Sequence, residues 1–232
     1  MIDFHSHVLP GMDDGSRSVA ESIKMMEASL DQGVEMIVAT PHFFPWQEKP
    51  DDFLARRDSA INTLPQFSSI IRAGAEVAYY DGIDYSEEIE RLKIDDTDFI
   101  LIEMPMTIWS RRMLEALHTI EKRTRLKVVL AHLERYVPFL KKSDHLDYVC
   151  ENFLIQVNAD YFCNRWTQRK ALKLVKEGAV DFVGSDCHNM TSRPPNMGEA
   201  YQTMEKKLGI KSVCAFKDKQ KKFLEGGQIY ER

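Results

Sequence analysis

The sequence has only four cysteines in 232 residues, Cys150, Cys163, Cys187 and Cys214, and no two form a CxxC pair. That excludes a disulfide framework and a cysteine-based zinc knuckle, and it fits a reducing compartment. No apolar run approaches the roughly 18 residues of a membrane span. The first residues include Asp3, His5 and His7, where a secretory signal would need a basic start and an apolar core. A cytoplasmic protein without direct membrane insertion is therefore expected. Positive charge is not in excess either: 31 Lys and Arg stand against 36 Asp and Glu, a net charge of −5. No general field draws the chain to nucleic acid, so any anionic partner must be met locally. With 11 Gly and 9 Pro the sequence is neither collagen-like nor of low complexity, and no repeat, linker or composition break divides it. What remains is an ordinary chain, 44% hydrophobic and 29% charged, long enough for one domain over residues 1–232.

Short apolar or β-branched runs alternate with helical patterns. Strands are expected over Ile2–Val8, Val34–Thr40, Ser69–Val77, Phe99–Glu103, Lys127–His132, Phe153–Asn158 and Ala179–Ser185. Helices are expected from a Ser18/Glu21 capping box to Gly33, after Asp51, over Tyr85–Leu92, Ser110–Arg123 and Gln168–Glu177, with two more after Asn196. Seven strand and helix units predict an α/β fold, a parallel (β/α)7 barrel.

Residues with metal-binding chemistry fall at the C-terminal ends of those strands, the rim that carries chemistry in such barrels. His5 and His7 close strand one, His42 follows strand two, Glu76 ends strand three and Glu103 strand four, His132 ends strand five, and Asp186 with His188 ends strand seven. In His5-Ser6-His7 and Asp186-Cys187-His188 the i, i+2 spacing puts both ligands on one side of an extended chain. The acidic turn Asp13-Asp14 adds a carboxylate. Five of the seven histidines at one rim with four carboxylates ask for a shared explanation. Imidazole with carboxylate suits Mn, Fe or Zn, and the crowded negative charge asks for two or three cations. His118, in a helical pattern, and His145, in a polar loop, are read as structural.

The stretches MIDFHSHVLPGMDDGS, IVATPHF, GAEV, ILIEMPM, LAHLERY and GSDCHNMTSRPPNM resemble the PHP (polymerase and histidinol phosphatase) superfamily of metal-dependent phosphoesterases. They resemble most the manganese-dependent bacterial protein-tyrosine phosphatases that accompany capsule and exopolysaccharide tyrosine kinases. The resemblance covers Met1 to about Met197. It implies a distorted barrel of the PHP type holding three divalent ions, manganese by family habit with iron or zinc compatible. One ion falls to His5, His7, Glu76 and Asp186, a second to a bridging Glu76 with Glu103 and His132, and a third to Asp14, His42 and His188. Arg135 and Arg193 match the arginines that hold phosphate beside the metals. The implied reaction is in-line hydrolysis of phosphotyrosine by a metal-bridging hydroxide, the implied partner a bacterial tyrosine kinase.

Rival readings stay open at this stage. A phosphatase for a small phosphomonoester such as histidinol phosphate uses nearly the same ligands. Nuclease chemistry ranks low for want of a basic track, and a metal-stabilised scaffold would be favoured by a missing ligand. Cys187 and Arg193 reproduce the C-x5-R spacing of cysteine-dependent phosphatases, but the stretch lacks glycine and runs into Pro194-Pro195, which disfavours the helix that chemistry needs. The loop Phe43-Phe44-Pro45-Trp46 is either an aromatic wall for a substrate ring or a cap on the barrel edge.

Overall fold

Runs of Val, Ile and Phe form nine short strands in a computed structural model that describes residues 1–143 and 145–224. They are β1 (Ile2–Ser6), β2 (Met36–Ala39), β3 (His42–Phe43), β4 (Ile71–Ala73), β5 (Glu76–Ala78), β6 (Phe99–Glu103), β7 (Lys127–Leu130), β8 (Leu154–Asn158) and β9 (Phe182–Gly184). All pair in parallel, in the orders β1-β2-β4 and β3-β5-β6-β7-β8-β9. β2 and β3 are one stave interrupted at Thr40-Pro41, and β4 and β5 are one interrupted at Gly74-Ala75. Gly74 N donates to Ala39 O at 2.9 Å and Glu76 N to Pro41 O at 3.0 Å, carrying the ladder across both breaks. Counted by stave, the strands form the expected seven in chain order. The ring closes where Asp186 N donates to His5 O at 2.8 Å and His7 N to Cys187 O at 3.0 Å. The fold is a distorted parallel α/β barrel, and the single strand expected over Ser69–Val77 is corrected to two.

Helices α1 (Val19–Asp31), α2 (Pro50–Asn62) and α3 (Arg111–Thr124) lie where periodicity put them. Between them and the later α7 (Gln168–Lys176), α8 (Met197–Leu208) and α9 (Ile210–Leu224) come three short, unanticipated helices, α4 (Leu133–Leu140), α5 (Leu146–Asn152) and α6 (Asp160–Cys163). Ser18 caps α1 by accepting from Glu21 N at 3.2 Å, but the Glu21 carboxylate accepts from Arg17 N rather than completing the box on Ser18. The helix expected over Tyr85–Leu92 is instead two 3-10 turns, Ile83–Tyr85 and Ile89–Leu92. Ser86 is extended between them, which lets Ile83, Ile89 and Leu92 all be buried.

Towards the N-terminal ends of the staves, Phe4 stacks on Phe182 at 3.7 Å, with Phe99 and Phe223 edge-on around them. Each such ring pair adds about 0.5–1.5 kcal/mol beyond its buried area. This plug closes one end of the barrel beneath the opposite, polar rim. The outer faces of the staves pack through Ile100, Ile102, Val128 and Leu130 into the main core with Leu117 and Ile120 of α3.

Candidate metal centre

The rim residues reach the site by three local devices. In β1 the pairing with β2 slips between Asp3 and Ser6, a bulge beside His5 that re-aims the strand end. His132 and Asp186 lie beyond the ends of β7 and β9 with φ of +35° and +52°, in the left-handed region. For residues with a Cβ that backbone costs about 1–3 kcal/mol each, a strain held where it aims two side chains inward. The i, i+2 alternation anticipated for Asp186 and His188 is therefore corrected: both reach the pocket, but from a left-handed turn rather than an extended strand.

Glu76, fully buried on β5, is the centre of the cluster. Its Oε2 lies 3.0 Å from His42 Nδ1 and 3.2 Å from both His5 Nε2 and His7 Nε2, while its Oε1 lies 2.8 Å from His132 Nε2. Glu103 approaches His132 at 3.4 Å and His42 at 3.8 Å. Asp186 Oδ1 lies 3.4 Å from His7 Nε2 and 3.8 Å from His5 Nε2. Exposed Asp14 faces His188 Nε2 at 3.3 Å and His42 Nε2 at 3.7 Å. All nine residues expected as ligands from the sequence thus come together at one rim.

The donor set fits divalent cations. Three groups have ligand atoms close enough to share an ion: His7, Asp14, His42 and His188; His5, His7 and Asp186; and His42, Glu76 and Glu103. Glu76 Oε2, His42 Nδ1 and His188 Nε2 are buried without a hydrogen-bond partner despite these short separations, and His5 Nε2 and His7 Nε2 sit 3.1 Å apart. Unpaired buried donors and acceptors aimed at one another are costly unless a cation lies among them. The charge balance agrees. Burial opposes ionisation of Glu76, yet the charge of His5 and the imidazoles of His132, His5 and His7 turned towards it hold it well below the usual carboxylate range. Burial likewise opposes a charged His132, but Glu103 and Glu76 push it up to about 9.

Beyond the ligands, the structure brings in residues the sequence did not single out. Asp13 Oδ2 accepts from His7 Nδ1 at 2.7 Å and from His42 N at 2.8 Å, so it fixes the ring that turns Nε2 inward. Gln156 Oε1 accepts from His132 N at 2.7 Å and lies 3.2 Å from His5 Nδ1. Asn158 Nδ2 donates to Asp186 Oδ2 at 2.7 Å. Gln156 and Asn158 alternate in an otherwise apolar strand, a polar pair on one face that was a readable signal. His118 Nε2 meets Tyr148 Oη at 2.7 Å, and His145 joins none of the three ligand groups among the described residues.

Arg193 Nη2 reaches Asp186 Oδ2 at 2.5 Å and Arg135 hydrogen-bonds the same oxygen. Both line a cavity of about 320 Å³ with Glu134, Asn158 and Asn164. Cys187 takes no part: it is fully buried in the main core, and burial pushes its thiol up to about 12. The amides of Thr191, Ser192 and Arg193 all donate to Asn189 Oδ1, leaving no free nest of amides for a phosphate.

The family described as capsular polysaccharide synthesis, CpsB/CapC, matches residues 1–222. This chain belongs to the CpsB/CapC family. Within it, the chain is 30% identical over 229 residues to tyrosine-protein phosphatase CpsB of Streptococcus pneumoniae, covering 92% of this chain and 93% of that protein. It is 30% identical over 226 residues to tyrosine-protein phosphatase YwqE of Bacillus subtilis, covering 90% of this chain and 85% of that one. Among solved structures it is similar to those of YwqE from Bacillus subtilis and CpsB from Streptococcus pneumoniae, described as unique metal-dependent tyrosine phosphatases. The TM-score is 0.85 at 27% identity, covering 100% of this chain and 97% of that one. No described helix is long and apolar enough to cross a membrane.

Proposed function

We propose that this member of the CpsB/CapC family is a metal-dependent protein-tyrosine phosphatase. The observation that carries the reading is the two-sided environment of Asp186. Its Oδ1 faces the imidazoles of His5 and His7, while its Oδ2 takes Arg193 and Arg135. A phosphoryl group seated there would have the residues that would hold the ions on one flank and two guanidinium forks on the other.

The centre is proposed to hold three divalent ions, manganese first among the candidates. The assignment follows the sequence: His5, His7, Glu76 and Asp186 for one, Glu76, Glu103 and His132 for a second, Asp14, His42 and His188 for a third. Bound ions supply Lewis acidity and draw the pKa of water from 15.7 towards about 7. Arg135 and Arg193 orient the phosphoryl oxygens and neutralise charge as it develops. Asp13 and Gln156 hold the imidazoles of His7 and His5. Phenolate, with a reference pKa of about 10, leaves with little general-acid help, which suits a pocket rich in positive charge.

The substrate is proposed to be a tyrosine kinase of capsule or exopolysaccharide synthesis, met in the cytoplasm, with the chain acting as one domain; backbone hydrogen bonds between the segment after β9 and the first strand region, at His5 and His7, support the last point. The test is to strip the protein with chelator and assay a phosphotyrosyl peptide before and after adding Mn²⁺, with phosphoserine peptide and histidinol phosphate in parallel. Activity that vanishes with chelator, returns with Mn²⁺ and favours phosphotyrosine is expected. Full activity without metal would overturn the mechanism, and faster cleavage of histidinol phosphate would replace the substrate.

A further inference from the structure

The rim is chemically divided. Arg135 and Arg193 stand after β7 and β9, whereas the loop after β3 carries aromatic rings. In that loop strand alternation separates neighbours. Phe43 turns into the core and meets Phe53 edge-on at 5.2 Å, while Phe44 stays on the side of His42. Phe44 stacks on the His42 ring with centroids 5.1 Å apart and planes 24° from parallel, and Trp46 follows at 5.3 Å from Phe44. A ladder of three rings therefore climbs from a metal-site imidazole to the surface, where Trp46 is 64% exposed. Capping the barrel edge is done by Phe43; the fold itself asks nothing of an indole left in water.

The loop is also held in place. Gln47 N donates to Phe44 O at 2.9 Å, and Glu48 pairs with Arg56 at 2.6 Å. Arg56 donates in turn to Met12 O at 3.3 Å, beside the acidic turn. A wall fixed at both ends loses little entropy when a ligand settles on it.

We infer that Phe44 and Trp46 form the specificity wall for the phenyl ring of a phosphotyrosyl residue whose phosphoryl group sits between the metal ligands and the two arginines. The inference rests on the phosphotyrosine reading above. One ester oxygen separates phosphorus from the ring in phosphotyrosine, so a phosphoryl group beside His42 brings its ring alongside the next layer of the ladder. Phosphoserine has no ring to stack there, so its discrimination follows from binding as well as from leaving-group chemistry.

The test measures binding by calorimetry on the manganese-loaded protein, with phenylphosphonate as the ring-bearing probe and inorganic phosphate as the probe without a ring. Steady-state kinetics on a phosphotyrosyl peptide run alongside. Phe44→Ala and Trp46→Ala are expected to weaken phenylphosphonate about three- to tenfold, the weight of a stacked aromatic pair. They should raise KM for the peptide by a similar factor, with kcat and phosphate affinity little changed, and Trp46→Phe should keep most of the affinity. Unchanged phenylphosphonate binding in both alanine variants would overturn the inference. A parallel loss of phosphate binding would also overturn it, by assigning the rings to holding His42. A wild-type protein that cleaves no phosphotyrosyl peptide would defeat the phosphatase reading separately, since the calorimetry needs no turnover.

Discussion

Gly184 and His5 meet across the closing seam of the barrel with no room for a methyl group between them. A Cβ on Gly184 would lie 2.5 Å from His5 Cβ and 2.8 Å from His5 N. Both neighbours are backbone or next to it, so nothing yields without moving β1. Gly184→Ala is expected to destabilise the protein by about 1–3 kcal/mol or more and to weaken Mn²⁺ binding, because the displaced residue is a proposed ligand. Calorimetric melting with a metal titration reads both, and a variant with wild-type Tm and metal affinity would contradict the close approach.

Asp13 accepts two hydrogen bonds through one oxygen, from His7 Nδ1 and His42 N, and a third from Gly15 N through the other. Burial raises the cost of its charge, but the charge and hydrogen bond of His7 hold it far below the usual carboxylate range. Asp13→Asn cannot satisfy all three donors. Loss of about 10- to 100-fold in metal affinity or kcat/KM is expected, checked by competition with a metal-sensing dye. An unaltered affinity would mean that His7 keeps its orientation without this partner.

Arg135 and Arg193 converge on a single oxygen, Asp186 Oδ2. Each of Arg135→Ala and Arg193→Ala should lower kcat/KM on a phosphotyrosyl peptide by about 10- to 100-fold, the scale of a charge-assisted hydrogen bond. Because they share a partner, the double variant should lose less than the product of the two single losses. A strictly multiplicative loss in the four-member kinetic cycle would show that the two act on separate groups.

Cys187 is expected to be silent. With its thiol pushed up to about 12 by burial, the thiolate at pH 8 is about one part in ten thousand. Iodoacetamide should label exposed Cys214 well before Cys187, and Cys187→Ser should retain near wild-type kcat. Peptide mapping after timed labelling settles the order of reaction, and an inactive but folded, metal-loaded serine variant would revive the thiol mechanism.

The rim was readable in the sequence because six of the seven short apolar runs lead into a residue of metal-binding type, and an apolar run followed by an imidazole or carboxylate needs no tertiary information to be noticed. The breaks in the second and third staves were not readable. They depend on Pro41, which lacks an N–H, in one stave and on Gly74 in the next, where a Cβ would sit 3.1 Å from Ile94 and 3.3 Å from Thr40. Neither residue signals the break alone. The left-handed turns at His132 and Asp186 are hidden for a similar reason: their strain is imposed by what surrounds them. Asp13 was visible as part of an acidic turn, but only the fold separates it from Asp14, one holding a ring and the other facing the pocket.

The seam between the first and last staves also sets a clock. Ser185 N donates to Asp3 Oδ1 across 182 positions of the chain, and the amide of His7 waits for the carbonyl of Cys187. At about 5–20 residues per second of synthesis, β1 leaves the ribosome about ten to forty seconds before its second neighbour exists. Until then His5 and His7 flank an open edge, with Asp186 and His188 of the proposed ligands still untranslated. Closing the ring and completing the cation pocket are therefore one event, and a nascent chain acquires its chemistry all at once, at the end.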